Sequence, residues 1–213
     1  LPADQVSRLT AVPWARLCLL YSGVRVNVHG REHLEPGQSY VIVANHLSQF
    51  DIFVLYGYLG VDFRWVMKHE LRQMPVIGIC CEKLGHIFIN RSDTQAAIAS
   101  LNQARTRLAN GASVLFFPEG TRSRNGQLKP FKKGAFKMAQ DLKLPVLPVT
   151  LTGTFEILPP GTARLRPGQH AQITLHPAIA PVGSSEAELV QLMHQSQAAI
   201  AAPLSEACPQ PSL

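Results

Sequence analysis

Short apolar runs alternate with longer amphipathic segments along this chain, and that alternation limits the fold more than any other feature. The runs are VRVNVHG, YVIVANH, FRWVMK, IFINR, ASVLFFP, VLPVTLTG and AQITLHP. Several are continuously apolar, the pattern of strands covered on both faces. Helical patterns lie between them. One spans Gln49 to Leu59 behind Ser48, and one spans Pro75 to Leu84 with proline near its start. SDTQAAIASLNQARTRLANG is capped by Ser92 and stopped by Gly111; Lys132 to Asp141 and SSEAELVQLMHQSQAAIAAPL complete the set. The alternation predicts an α/β fold: a single domain with a mostly buried mixed sheet of about seven strands, covered by helices.

Composition narrows the partners. Apolar residues make up 46% of the chain and charged residues only 16%, which leaves apolar surface available. Twenty Lys and Arg against 14 Asp and Glu give a net charge of +6. A basic balance suits an anionic membrane surface or a phosphorylated substrate. It does not make a nucleic-acid binder, since there is neither an arginine-rich run nor zinc-finger spacing. Cys18, Cys80, Cys81 and Cys208 read as reduced thiols, because the adjacent pair suits neither a disulfide nor a metal site.

No stretch reaches the roughly 18 uninterrupted apolar residues of a membrane span. The opening segment VSRLTAVPWARLCLLYSG is apolar but carries Arg8, Trp14 and Arg16. It fits a helix lying in the membrane interface or one packed on the domain. The chain opens on Leu1, which leaves an upstream anchor open. The organisation predicted is a membrane-associating segment over 1–22, the main domain over 23–205 and a frayed tail over 206–213.

Ligands of such sheets gather at strand ends, and polar clusters follow the strand-like runs. NHLSQFD places His46 and Asp51 after YVIVA. Two readings stand: a base with the group that orients it, or a helix capping box built on Ser48 and Asp51. FFPEGTRSRNG puts Glu119, Gly120, Thr121 and Arg122 after a buried strand. Glycine permits close backbone approach, turn amides can cradle an anion, and arginine offers a planar fork for phosphate. The alternative is a surface turn with solvated arginines. GHIFINRSD places Arg91 just before Ser92, and WVMKHEL places Lys68 at a strand end. Each could meet an anion or stay solvated. His86 reads as a packed core histidine. LKPFKKGAFKMAQ holds Lys129, Lys132, Lys133 and Lys137, either a membrane-facing basic patch or a solvated helix face.

In this order NHLSQFD, KHEL, GHIFINR, FPEGTRS and LPVLPV resemble the motifs of the glycerolipid acyltransferase family, over roughly Gly30 to Thr152. The resemblance implies transfer of an acyl group from acyl-CoA or acyl-carrier protein to the free hydroxyl of 1-acylglycerol 3-phosphate, giving phosphatidic acid. It makes His46 the base and Asp51 its orienting carboxylate, with Asn45 and Ser48 in support. It assigns Glu119, Gly120, Thr121 and Arg122 to acceptor binding, with Lys68 and Arg91 as further charges near the phosphate. Pro148 and Val149 would line an acyl groove or simply pack. No metal or cofactor beyond the acyl co-substrate is implied. The partners expected are lysophospholipid, acyl thioester and a membrane surface with anionic lipids. The expected location is the cytoplasmic face of a membrane, the inner one in a bacterium. Alternatives are acylation of another lysolipid, such as a lyso-ornithine lipid, or of glycerol 3-phosphate, and a non-catalytic lipid-binding module. A hydrolase is a further alternative, but the chain has no Gly-x-Ser-x-Gly nucleophile elbow.

Overall fold

The computed structural model describes residues 3–90 and 112–207. The helix expected over 92–111, Arg91, Cys208 and most of the tail lie outside the described residues. Seven strands form one mixed sheet: β1 Arg25–His29, β2 Val41–Ala44, β3 Phe63–Lys68, β4 Ile87–Ile89, β5 Ser113–Phe116, β6 Val146–Thr152 and β7 His170–Leu175. Their spatial order is β1-β7-β6-β2-β5-β3-β4. Every neighbouring pair is parallel except β6 and β7, so β1 and β7 run against the other strands.

The period-2 geometry of strands divides the core. Ile42 and Ala44 of β2 face one apolar layer, with α3 (Phe50–Tyr58) packed in it. Val41 and Val43 face the other, which holds α5 (Gly134–Leu142) and α7 (Glu186–Ala207). Both faces are covered, which is why β2 reads VIVA without a polar position. β2 continues through α3 toward β3 on one side, while β5 continues through α5 to β6 on the other. β2 and β5 are neighbours, so their following loops part over opposite faces and leave a crevice between them.

The opening segment forms α1 (Ala3–Val6), a π-helical turn over Ser7–Ala11 and α2 (Val12–Tyr21). It is packed on the domain, the second of its two readings. Ala15 and Leu19 are buried against the domain, and Trp14 meets Phe53 of α3 edge to face. Arg16 is spent on the domain, donating to the Gly57 carbonyl at 2.9 Å and lying over the Tyr58 ring. The outer face stays apolar: Leu9 is 66% exposed, Leu17 50% and Leu20 72%. No helix among the described residues is long and apolar enough to cross a membrane.

Two helices start later than expected. α4 covers Ile77–Lys83, two residues past Pro75, because Val76 adopts φ 66 in a γ-turn closed by Ile77 N–H on the Pro75 carbonyl. α5 begins at Gly134, which leaves Lys129 and Lys132 in the preceding loop. α6 is the single turn Thr154–Ile157.

Candidate active site

The crevice between β2 and β5 is where the two strongest motifs meet. Asn45 follows the last residue of β2 and is buried. Its side-chain amide donates to the Leu151 carbonyl at 2.9 Å and accepts from the Leu151 N–H at 2.7 Å. The pair acts as an extra rung between β2 and β6, and fixes the point at which the chain leaves the sheet.

His46 comes next. Its Nδ1 lies 2.7 Å from Asp51 Oδ2, and the carboxylate is fully buried. The same oxygen accepts the N–H groups of Leu47 at 2.7 Å and Ser48 at 2.9 Å. Ser48 Oγ accepts from Phe50 N–H at 3.2 Å and donates to the Leu158 carbonyl at 2.7 Å. The contacts that each reading of NHLSQFD requires are both present. Asp51 reaches back to the Ser48 N–H as a capping carboxylate does, and it also holds the imidazole. With Nδ1–H given to Asp51, Nε2 is left as the basic nitrogen, and no described residue engages it. Asp51 Oδ1 is buried with no hydrogen-bond partner among the described residues.

The β5 loop clamps the histidine backbone. Glu119 Oε1 accepts the His46 N–H at 2.7 Å, and Glu119 Oε2 accepts the Lys129 N–H at 2.9 Å. Ser123 N–H donates to the His46 carbonyl at 2.8 Å. Glu119 was expected to bind substrate, but its carboxylate is buried and both oxygens serve the protein's own backbone. Burial pushes its carboxyl pKa up, and the two N–H donors pull it back. The Phe117 ring stacks on the imidazole, centroids 3.8 Å apart and planes within 7°. Trp65 stacks behind Phe117 at 5.3 Å.

The remaining expected residues divide. Gly120 takes φ 78, open to glycine at little strain, and its bare face is crossed by the Lys132 side chain. Thr121 Oγ1 accepts from Lys129 Nζ at 2.6 Å. Arg122 is exposed and pairs with no carboxylate among the described residues. Lys68 ends β3, one strand beyond β5 on the same sheet edge. Pro148 and Val149 are buried within β6 opposite Val43 and Ala44, the packing alternative.

The lysine run is not one patch. Lys133 pairs with Glu186, and Lys137 pairs with Asp141 at 2.8 Å. His86 is the core histidine expected: it is buried, its Nδ1 accepts from Trp65 N–H, and its Nε2 meets Tyr56 Oη at 2.5 Å. Burial, aided by Arg64, lowers its pKa to about 3. Cys18, Cys80 and Cys81 are free thiols. Sequence reasoning missed Phe117, Ser123 and the Leu158 carbonyl. Only Phe117 left a signal, the second aromatic of FFPEG at a strand end.

Known proteins resemble this chain in sequence and in fold. A 1-acyl-sn-glycerol-3-phosphate acyltransferase of Chlamydomonas reinhardtii is 40% identical over 182 residues, covering 84% of this chain and 53% of that protein. The human 1-acyl-sn-glycerol-3-phosphate acyltransferase alpha is 35% identical over 173 residues, 79% of this chain and 61% of its own length. The chain thus spans about half to three fifths of the length of these relatives. Among solved structures, the 1-acyl-sn-glycerophosphate acyltransferase PlsC of Thermotoga maritima superimposes with a TM-score of 0.79 at 27% identity, covering 99% of this chain and 81% of that one. Residues 25–152, which carry the sheet from β1 to β6 and the whole β2–β5 crevice, match the profile of the acyltransferases, and the chain belongs to that family.

Proposed function

We propose that this protein transfers an acyl group from an acyl thioester to the free hydroxyl of 1-acylglycerol 3-phosphate, forming phosphatidic acid. One observation carries the reading: His46 is held by Asp51 through Nδ1 while its backbone is clamped by Glu119 and Ser123, which leaves Nε2 as a positioned base. A protonated hydroxyl is a poor nucleophile, so a base must take its proton as it attacks. His46 Nε2 receives that proton while the hydroxyl oxygen bonds to the thioester carbonyl carbon. The buried Asp51 carboxylate stabilises the imidazolium formed. Collapse of the tetrahedral intermediate breaks the carbon–sulfur bond, and the departing thiolate takes the proton back from His46. The thiol of coenzyme A or acyl-carrier protein is released, and no protein nucleophile is needed.

The acceptor assignment rests on the exposed Arg122 behind Gly120, and on the substrate named for the Chlamydomonas, human and Thermotoga relatives. A phosphomonoester offers strong acceptor oxygens that suit guanidinium and ammonium groups. Lys68 is a further cation at the same sheet edge. We place the protein on a membrane, at the cytoplasmic face where such donors reside. The outer apolar face of the π-helical turn and α2 is the surface proposed to lie in the interface.

The test is an acceptor panel with one labelled acyl donor and the purified protein in detergent micelles. Transfer to 1-acylglycerol 3-phosphate should exceed transfer to lyso-ornithine lipid, to glycerol 3-phosphate and to water. His46→Ala should lower it at least ~100-fold with folding retained. A preference for another acceptor, release of free fatty acid alone, or no thioester consumption with any acceptor would reject the reading.

A further inference from the structure

The four lysines of LKPFKKGAFKMAQ sort into two pairs with different surroundings. Lys133 and Lys137 have carboxylate partners, Glu186 and Asp141. Lys129 and Lys132 have none among the described residues and lie on the β5 loop instead. The Lys132 side chain crosses the bare face of Gly120: a methyl group built there would sit 3.0 Å from Nζ and 3.1 Å from Cε. Lys129 Nζ donates to Thr121 Oγ1 at 2.6 Å. Two ammonium groups thus rest on residues 120 and 121, and the guanidinium of Arg122 follows.

The one carboxylate in this loop, Glu119, is buried and bonded to the His46 and Lys129 N–H groups, and it forms no ion pair with either ammonium group. Cations that share one loop with no carboxylate ion-paired to them favour an arriving anion. The cluster adjoins His46, because Glu119 and Ser123 on either side of it hold the His46 backbone N–H and carbonyl.

From this we infer that Lys132 and Lys129 are acceptor-binding residues, which join Arg122 in holding the phosphate of the lysolipid. The inference deepens the proposed function and rests on it for the identity of the acceptor. Loop geometry supports it: Lys132 N–H donates to the Pro118 carbonyl at 2.9 Å and Lys129 N–H to Glu119, so both lysines are anchored to the loop they serve.

Lys132→Gln, Lys129→Gln and Lys132→Arg are compared with Lys133→Gln and Lys137→Gln in nonionic micelles, after thermal melting shows each folded. KM is measured separately for lysophosphatidate, for a phosphate-free monoacylglycerol and for the acyl donor. Binding of glycerol 3-phosphate is measured by calorimetry, which requires no turnover. Lys132→Gln should weaken glycerol 3-phosphate binding and raise the lysophosphatidate KM by roughly tenfold or more, as expected for a lost charge-assisted hydrogen bond. Lys129→Gln should act in the same direction, and Lys132→Arg should retain most of the affinity. The donor KM, the phosphate-free acceptor and the two carboxylate-paired lysines should be unaffected. Equal effects at Lys132 and Lys133, a raised donor KM, or unchanged glycerol 3-phosphate binding in Lys132→Gln would overturn the inference. If glycerol 3-phosphate binds in a Lys132-dependent way but no phosphorylated lysolipid is acylated, the phosphate site stands and the proposed reaction falls.

Discussion

Asp51→Asn separates the two duties that meet on one oxygen. In the wild type Oδ2 accepts from His46 Nδ1, Leu47 N–H and Ser48 N–H, at 2.7, 2.7 and 2.9 Å. An asparagine oxygen can still accept the two backbone N–H groups, but as neutral bonds. Each weakens by about 1 kcal/mol, and part of that is returned because a buried charge is removed. The net destabilisation is about 1–2 kcal/mol, a drop of about 2–8 °C in melting temperature for a chain of this size. The catalytic effect is larger in kind. If the amide nitrogen turns to Nδ1, the imidazole must carry its proton on Nε2 and can no longer accept one from the substrate. If the amide oxygen stays there, the imidazolium loses its counter-charge. Either route removes general-base action, worth about 10²-fold, and up to about 10⁴-fold where the tautomer is inverted. Turnover with a labelled acyl donor and melting by circular dichroism measure the two duties on one sample. A folded Asp51→Asn protein within tenfold of wild-type turnover refutes the orienting role and leaves Asp51 as a cap.

Arg122→Lys keeps the charge but not the planar fork, and should reduce catalytic efficiency roughly 10- to 150-fold on lysophosphatidate through loss of one charge-assisted hydrogen bond; an equal loss on a phosphate-free acceptor would assign Arg122 to the fold or the donor. Replacing Leu9, Leu17 and Leu20 together by Gln should lower partitioning onto vesicles at least about tenfold, since burying a leucine fully is worth about 1.5–3 kcal/mol, and the melting temperature should hold because these side chains face outward; unchanged vesicle binding would point to another surface. His86 sets an acid limit on stability. Its folded pKa of about 3 lies below the unfolded value of about 6.5, so the unfolded chain takes up the proton first. The stability it permits is complete above about pH 6.5 and is lost as pH falls toward 3, about 2 kcal/mol of it between pH 7 and 5. Urea titrations of His86→Gln at both pH values should show that loss removed, and an acid slope equal to wild type would contradict the assignment.

The strands were legible because their signal is local. FRWVMK became β3 over the same residues, and VIVA is apolar throughout since each face of β2 meets its own layer. The strand order was not legible, because β2 finds β5 and β6 across loops whose sequence says nothing of partner choice. Val76 hid the true start of α4: a β-branched residue at positive φ is rare, and proline next to it read as a helix opening. The lysine run shows a legible part that went unread. Lys137 and Asp141 stand four apart on one helix face, so their pairing was available from sequence. The Lys133–Glu186 pair, by contrast, joins residues far apart in the chain and needed the fold.

The His46–Asp51 pair was visible in NHLSQFD, but what holds it in place was not. An imidazole bonded to one carboxylate can still rotate with its backbone, and a base displaced by an ångström loses much of its advantage. Here each degree of freedom meets a separate restraint. Asn45 ties the preceding residue to β6, Glu119 takes the His46 N–H, and Ser123 takes its carbonyl. Phe117 covers one ring face and Asp51 holds Nδ1. Three of these five restraints come from the β5 loop, more than 70 residues away. The separation of the FPEGTRS motif from the histidine therefore has a structural reason beyond the phosphate binding proposed for it. Glu119 lies where its carboxylate can fasten the base's backbone from one side and the Lys129 N–H from the other. The residues that hold the base and the residues proposed to hold the phosphate are thereby parts of one hydrogen-bonded loop, so the distance between the reacting hydroxyl's base and the head-group site is set by the protein's own backbone before any substrate arrives.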